Sequence, residues 1–405
     1  MTIDGTCAPE FTAVREAFER NFTEYGEVGA AVHATVDGQS VVDLWGGLQD
    51  PATGTPWQRD TLVHIWSGTK GAVALCAHLL VARGKLDLTL PVAHYWPEFA
   101  AEGKGGILVR QLLNHQAGLP ALSEPLPPGA FYDWDLMVDA LARQRPWWEP
   151  GTRHGYHGLT FGFLVGEVVR RVAGVPLGEF FRTEIAEPLG LDFWLGLPGS
   201  EEHRVAHTIP ADLTVPGAPV PNLFIAAMTD PASIAGQLLL NNGGYMNPGE
   251  ADTRAAHAAV IGATGGITNA RGLSGLYTPL ANGGGGLVDE FQLAAMGAVS
   301  SAASVDAVVL VPSRFTLGFV KAVDNSHLPI ADAEGILLSE EAFGHSGFGG
   351  SIGFADPRAR LSFAYTMSRQ GPGIGINERC QALVDATYAA LGYRRPPSGG
   401  LWVHP

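Results

Sequence analysis

The spacing of hydrophobic positions changes character several times along the chain. Phe11, Val14, Phe18 and Phe22 recur at three- and four-residue steps, which predicts a first helix with one buried face. AAVHATVDG and QSVVDLWGG follow as short β-rich runs. They are joined by Asp37-Gly38, a pair that supplies the positive φ angles of a tight turn, so two antiparallel strands are expected. From Ser67 to about Arg83 the chain is apolar almost without interruption (GAVALCAHLLVA). That run is too long for one strand and lacks a polar face, so it reads as a buried central helix. Between roughly 87 and 305, helical segments such as LTFGFLVGEVVRRVAG and VPLGEFFRTEIAEPLGL are broken by Pro and Gly, and the proline-rich stretch 196–230 reads as a long surface loop. After about 313, short alternating runs return in FTLGFVKAV, GSIGFADP and LSFAYTMS, and INERCQALVDATYAALGY closes with a helix.

This order predicts an α+β fold: an antiparallel sheet built from both ends of the chain, flanked by N- and C-terminal helices, with an all-helical insertion. The expected division places 1–65 and 306–405 in the sheet domain and 66–305 in the helical one.

Composition narrows the function. With 405 residues, 46% hydrophobic and only 16% charged, the chain can bury a large core, which excludes a disordered or fibrous protein. A net charge of −15 repels phosphate backbones and anionic lipid, so neither nucleic acid nor a membrane surface is an expected partner. MTIDGTCAPEF lacks a basic stretch followed by an apolar one, and no run reaches the unbroken length of a membrane span, so a cytoplasmic protein is expected. Cys7, Cys76 and Cys380 are scattered, without a C-x-x-C pair, against both a disulfide framework and a zinc site. H-E-x-x-H, Walker A and post-strand G-x-G-x-x-G motifs do not occur, so no metal or nucleotide cofactor is expected.

Three segments carry candidate chemistry. Ser67-Gly68-Thr69-Lys70 stands where a polar segment enters the buried helix, and positions three apart share a helix face, so the Lys70 amine can reach the Ser67 hydroxyl. A serine is a weak nucleophile until a base takes its proton, and a lysine is that base only if burial or a nearby cation lowers its pKa. The bland alternative is a helix-capping serine followed by a solvated lysine. Tyr156-His157-Gly158 again precedes an apolar helix, and a tyrosine beside a cationic lysine is expected to ionise more easily and shuttle protons, although an ordinary core tyrosine fits the same pattern. Gly344-His345-Ser346-Gly347-Phe348-Gly349-Gly350 is glycine-rich beside a predicted strand, where an edge N–H can help bind an oxyanion. It does not satisfy G-x-S-x-G, so Ser346 is not read as a nucleophile.

Taken together, HIWSGTKG, LLNHQAGLP, GYHGLTFGFLVGEVV, PLGEFFRTEIAEPLGL, GGITNARGLSGLY and GHSGFGGSIGFADP resemble, in order and from about residue 10 to 390, the serine β-lactamase-like superfamily. Within it the chain is most similar to family VIII carboxylesterases and their class C β-lactamase relatives. The resemblance implies a nucleophilic Ser67, a Lys70 that helps deprotonate it, and Tyr156 in the tyrosine position of a Y-x-N motif. It further implies oxyanion N–H groups from Ser67 and Phe348, and His345-Ser346-Gly347 standing where β-lactamases carry Lys-Thr-Gly.

Two departures bear on substrate. Gly158 replaces the usual Asn and His345 replaces the Lys, and both weaken recognition of an acidic amide, so a neutral or weakly charged small-molecule ester is expected, with Arg153 or His157 as possible cations. Trp66, Phe131, Tyr132, Trp134, Trp147 and Trp148 can line an acyl pocket or belong to ordinary core, and His115 reads as a structural hydrogen-bonder. The expected reaction is ester hydrolysis through a Ser67 acyl-enzyme. The rivals are acyl transfer on the same fold, β-lactamase or D-amino-acid peptidase activity, and a scaffold that only binds ligands. Oligomeric state is not legible in the sequence.

Overall fold

A computed structural model describes residues 2–212, 220–332, 335–397 and 399–405. The chain opens with β1 (Ile3–Cys7) and, after a single turn that buries Phe11, helix α1 (Thr12–Thr23), whose inward stripe is Val14, Ala17, Phe18 and Asn21. Strands β2 (Gly29–Val36) and β3 (Gln39–Asp50) form the expected hairpin, with Asp37 and Gly38 both at positive φ (53° and 76°). A short β4 (Thr55–Pro56) folds back on β3, and β5 (Leu62–His64) leads into helix α2 (Thr69–Ala82), which is buried over nearly its whole length. Helix α3 (Phe161–Ala173) packs across α2.

Beyond it come β6 (Phe193–Leu195), β7 (Val205–Ala206), helices α4 (Asn222–Thr229) and α5 (Ile234–Leu240), β8 (Gly266–Thr268) and helix α6 (Ala270–Ala281). The C-terminal part supplies β9 (Ser301–Ala303), β10 (Ser313–Phe315), β11 (Val320–Lys321), β12 (Phe343–Ser346), β13 (Ile352–Asp356), β14 (Leu361–Met367) and helix α7 (Glu378–Ala390).

The main sheet runs β1-β3-β2-β14-β13-β12-β11-β10-β9 with antiparallel pairing throughout, and β4 joins beside β3. Its two halves meet where Val36 faces Leu361 and Ala30 faces Met367, so the sheet is built from both ends of the chain, as its patterning implies. Helices α1 and α7 cover one face over a core that includes Phe18, Val32, Phe354, Phe363 and Leu383. Helix α6 covers the other face, lying on β2, β13 and β14. With both faces covered, β2, β13 and β14 are buried almost throughout, so even the polar residues that alternate along them, such as Ser362 and Thr366, lie inside.

The middle of the chain differs from the expected all-helical insertion. Strands β6-β8-β5-β7 form a small four-stranded sheet, and α6 and β9, which precede residue 306, belong to the main-sheet layer. The proline-rich 196–230 is not uniform loop either, since it contains β7 and α4; its residues 213–219 lie outside the described residues. Strands of two or three residues are too short to show a period, which is why the small sheet left no alternating pattern. Among the described residues no single helix is long and apolar enough to cross a membrane.

Candidate active site

Ser67 sits at the hinge between the small sheet and α2. Ile65 donates its N–H to Gly266 O, while the Thr69 hydroxyl donates to Trp66 O and accepts the Gly266 N–H at 2.8 Å, so the chain is pinned on both sides of the serine. Between these anchors Trp66 adopts a positive φ of 49°, a conformation that costs energy for a bulky residue and that the surrounding bonds enforce. Helical geometry then starts at once, with the Lys70 N–H donating to Ser67 O at 3.0 Å.

The Lys70 side chain is fully buried. Its Nζ lies 3.0 Å from Ser67 Oγ, 2.7 Å from Gly158 O and 2.8 Å from Ala263 O, and 4.9 Å from the centre of the Tyr156 ring. No carboxylate is among these partners, and burial pushes its pKa well below the ordinary lysine value. A neutral amine has two N–H donors and one lone pair. In that neutral form, with both donors committed to the Gly158 and Ala263 carbonyls, the lone pair would face the Ser67 hydroxyl.

The Tyr156 ring stacks on Phe315 with centroids 5.7 Å apart, and Tyr156 lines the same cavity as Ser67. Burial pushes its pKa up, partly offset by the nearby Ser67 hydroxyl, and Asp306 adds to the rise. This corrects the expectation of an easily ionised tyrosine: burial disfavours the phenolate, and it lowers the pKa of the lysine beside it as well. The backbone of Tyr156 is held by Asp306, whose Oδ1 accepts the N–H groups of Tyr156, Val308 and Val309. Asp306 Oδ2 accepts the Ser313 hydroxyl and lies 2.9 Å from His154 Nε2. Neither Asp306 nor the Ala263 carbonyl is marked by any motif.

Trp66, Ser67, Tyr156, His345, Ser346 and Phe348 line one open cavity of about 150 Å³. Leu223 and Phe224 of α4, Leu238 and Leu239 of α5, and Val309 and Val311 are among its apolar walls. Among the described residues, Arg314 is the one charged side chain lining it, and its guanidinium is held by both Glu340 carboxylate oxygens. An added Cβ at Gly158 would stand 3.3 Å from Leu238, so a leucine now crowds the place where an asparagine side chain would leave the backbone. Near Phe348, the N–H groups of Gly347, Gly349 and Gly350 donate to Ser351 O, Gly373 O and Gly347 O, whereas neither the Phe348 nor the Ser67 N–H has an acceptor among the described residues.

The remaining candidates fall elsewhere. Arg153 is exposed and does not line the cavity; its carbonyl accepts the Trp148 indole N–H. His157 is fully buried, accepts the Leu119 N–H on Nε2 and is bonded through Nδ1 to Gly155 O, and burial pushes its pKa down to about 4, so it is a neutral structural group. Gly347 is off the cavity wall: a Cβ there would stand 2.2 Å from Ile65 O, so its missing side chain lets β12 approach the segment bearing Ser67. Phe131 and Trp148 are core, Tyr132, Trp134 and Trp147 are partly buried against it, and of these six aromatics only Trp66 reaches the cavity. His115 accepts the His157 N–H and packs on Tyr156 and Phe315, as a structural residue would.

An antiparallel sheet between helices, with a Ser-x-x-Lys step opening a buried helix at a cavity, defines the serine hydrolases of the β-lactamase/transpeptidase-like class. The Beta-lactamase family model matches residues 14–383, and the chain belongs to that family. It is 33% identical over 379 residues to the "Esterase/beta-lactamase LipL" of Mycobacterium tuberculosis (strain ATCC 25618 / H37Rv), an alignment covering 90% of this chain and 82% of that protein. Among solved structures, a family VIII carboxylesterase matches with a TM-score of 0.82 and 38% identity, covering 96% of this chain and all of the other. A penicillin-binding protein homolog from Caulobacter crescentus matches with the same TM-score, 34% identity and the same coverage. The chain is a serine hydrolase, and its esterase relatives support esterase activity.

Proposed function

We propose that the protein is a carboxylesterase that cleaves uncharged esters of small or medium acyl groups through an acyl-enzyme on Ser67. The observation that carries this reading is the buried Lys70 amine, with two carbonyls absorbing its N–H donors and its lone pair left to Ser67. In the first step the Ser67 proton passes to Lys70 as Oγ bonds to the ester carbonyl carbon. The oxyanion is received by the Ser67 and Phe348 N–H groups. The C–O bond to the alcohol then breaks, and the departing alkoxide takes a proton from the neutral Tyr156 phenol, which is replenished from Lys70. Water repeats the sequence on the acyl-enzyme and frees the acid. No step needs a metal or cofactor.

The apolar walls, the paired Arg314 and the leucine beside Gly158 favour an uncharged substrate over a β-lactam carboxylate. Ser67→Ala is expected to abolish hydrolysis of p-nitrophenyl butyrate and with it the acyl adduct seen by intact-protein mass spectrometry. Undiminished turnover in that variant overturns the assignment. Parallel assays with nitrocefin are expected to show turnover far below that of the ester, and equal rates would return the β-lactamase reading.

A further inference from the structure

We infer that the natural ester carries a hydrogen-bond donor, a hydroxyl or an N–H, close to its scissile carbonyl, and that His345 Nε2 is the atom that receives it. The inference rests on the esterase reading and names the substrate class for the same cavity. His345 lies in β12 with only 2% of its surface exposed, and it lines the cavity together with Ser67 and Tyr156, its ring centre 6.0 Å from that of Tyr156. Its Nδ1 lies 2.8 Å from Ser346 O. A carbonyl oxygen can only accept, so Nδ1 carries the hydrogen. A neutral imidazole has a single N–H, which leaves Nε2 as a bare lone pair.

The ring is neutral because burial pushes its pKa down to about 3. Nε2 itself is buried and has no partner among the described residues. A buried acceptor without a donor is unfavourable, and a ligand that brings the donor relieves it. A carboxylate brings only acceptors and meets lone pair against lone pair. The position that suits a cation in β-lactamases therefore selects for the opposite property here: an uncharged group with a proton to share.

The test compares kcat/KM for methyl 3-hydroxybutyrate, methyl butyrate and monomethyl succinate in the wild type, His345→Leu and His345→Gln. Wild type is expected to prefer the hydroxy ester over the plain ester by about tenfold or more and to handle the acidic monoester worst. His345→Leu is expected to bring the hydroxy-to-plain ratio to about 1, whereas His345→Gln, whose amide oxygen still accepts, retains part of the preference. Because the readout is a ratio within each variant, a general loss of activity cancels. If His345→Leu does not fold, the wild-type and His345→Gln ratios decide. Measurable turnover without a hydroxyl preference in the wild type, or a preference undiminished in His345→Leu, overturns the role of His345 alone. Absence of turnover with all three esters overturns the hydrolase reading together with it.

Discussion

At the scale of single residues, the proposed chemistry depends on an amine whose pKa burial holds down. Because the Lys70 pKa is lowered by burial, activity is expected to rise with pH as the remaining ammonium form is lost. Because the Tyr156 pKa is raised above its ordinary value of 10.0, the alkaline side of the kcat/KM profile is expected to stay flat up to about that pH; a decline centred near pH 8 would contradict a neutral phenol. Lys70→Met removes the base and is expected to cut kcat/KM by roughly 10²–10⁴-fold. The same substitution reports on stability. The folded pKa lies below the unfolded value of 10.5, so between the two the unfolded chain binds more protons and the wild type gains stability on the variant as pH climbs towards 10.5. Urea titrations of both proteins at pH 7 and pH 10 measure this, and a stability difference independent of pH would mean that Lys70 is charged in the folded protein.

At the scale of elements, the backbone carbonyl that orients Lys70 is placed by helix packing. Gly162 of α3 lies against the 262–263 segment so closely that a Cβ would stand 2.1 Å from Ala263 N, and Ala263 O is one of the two acceptors on Lys70. Gly162→Val is expected to push that segment away, costing about 1–3 kcal/mol of stability. It should also lower kcat more than it raises KM; an unchanged kcat would show that the carbonyl need not be held. The pairing of Ser67 with Lys70 could be read in the sequence because both lie on one helical step, and β2, β3 and the closing helix because their patterns are long. Asp306 could not, because it acts on Tyr156 from 150 positions away and its neighbours VDAVVLVP show no period. Helix α4 was hidden by the prolines around it, although NLFIAAMT itself carries no charge or breaker. The state of Tyr156 is not legible for a different reason: residue types show that a lysine is near, but only packing shows that burial raises the phenol's pKa and lowers the amine's.

At the scale of the whole molecule, several histidines are folded away from water. Burial lowers the pKa of His33, His64, His78 and His157 from 6.5 to about 4, that of His345 to about 3, and that of His115 well below its ordinary value. Each is neutral when folded and takes up a proton when unfolded once the pH drops below 6.5. Stability is therefore expected to fall between pH 6.5 and pH 4, with a slope of roughly 1.4 kcal/mol per pH unit for each histidine that titrates. Thermal melts across that range test this, and a transition temperature that stays level down to pH 4.5 would refute it. The seam between β2 and β14 has a further consequence, one of timing. Ser67 and Lys70 are made long before β12 and β14, because the whole middle of the chain separates the two halves of the sheet. A nascent chain that has not yet reached Phe348 thus carries its nucleophile step without His345, Ser346 and Phe348, which line the same cavity.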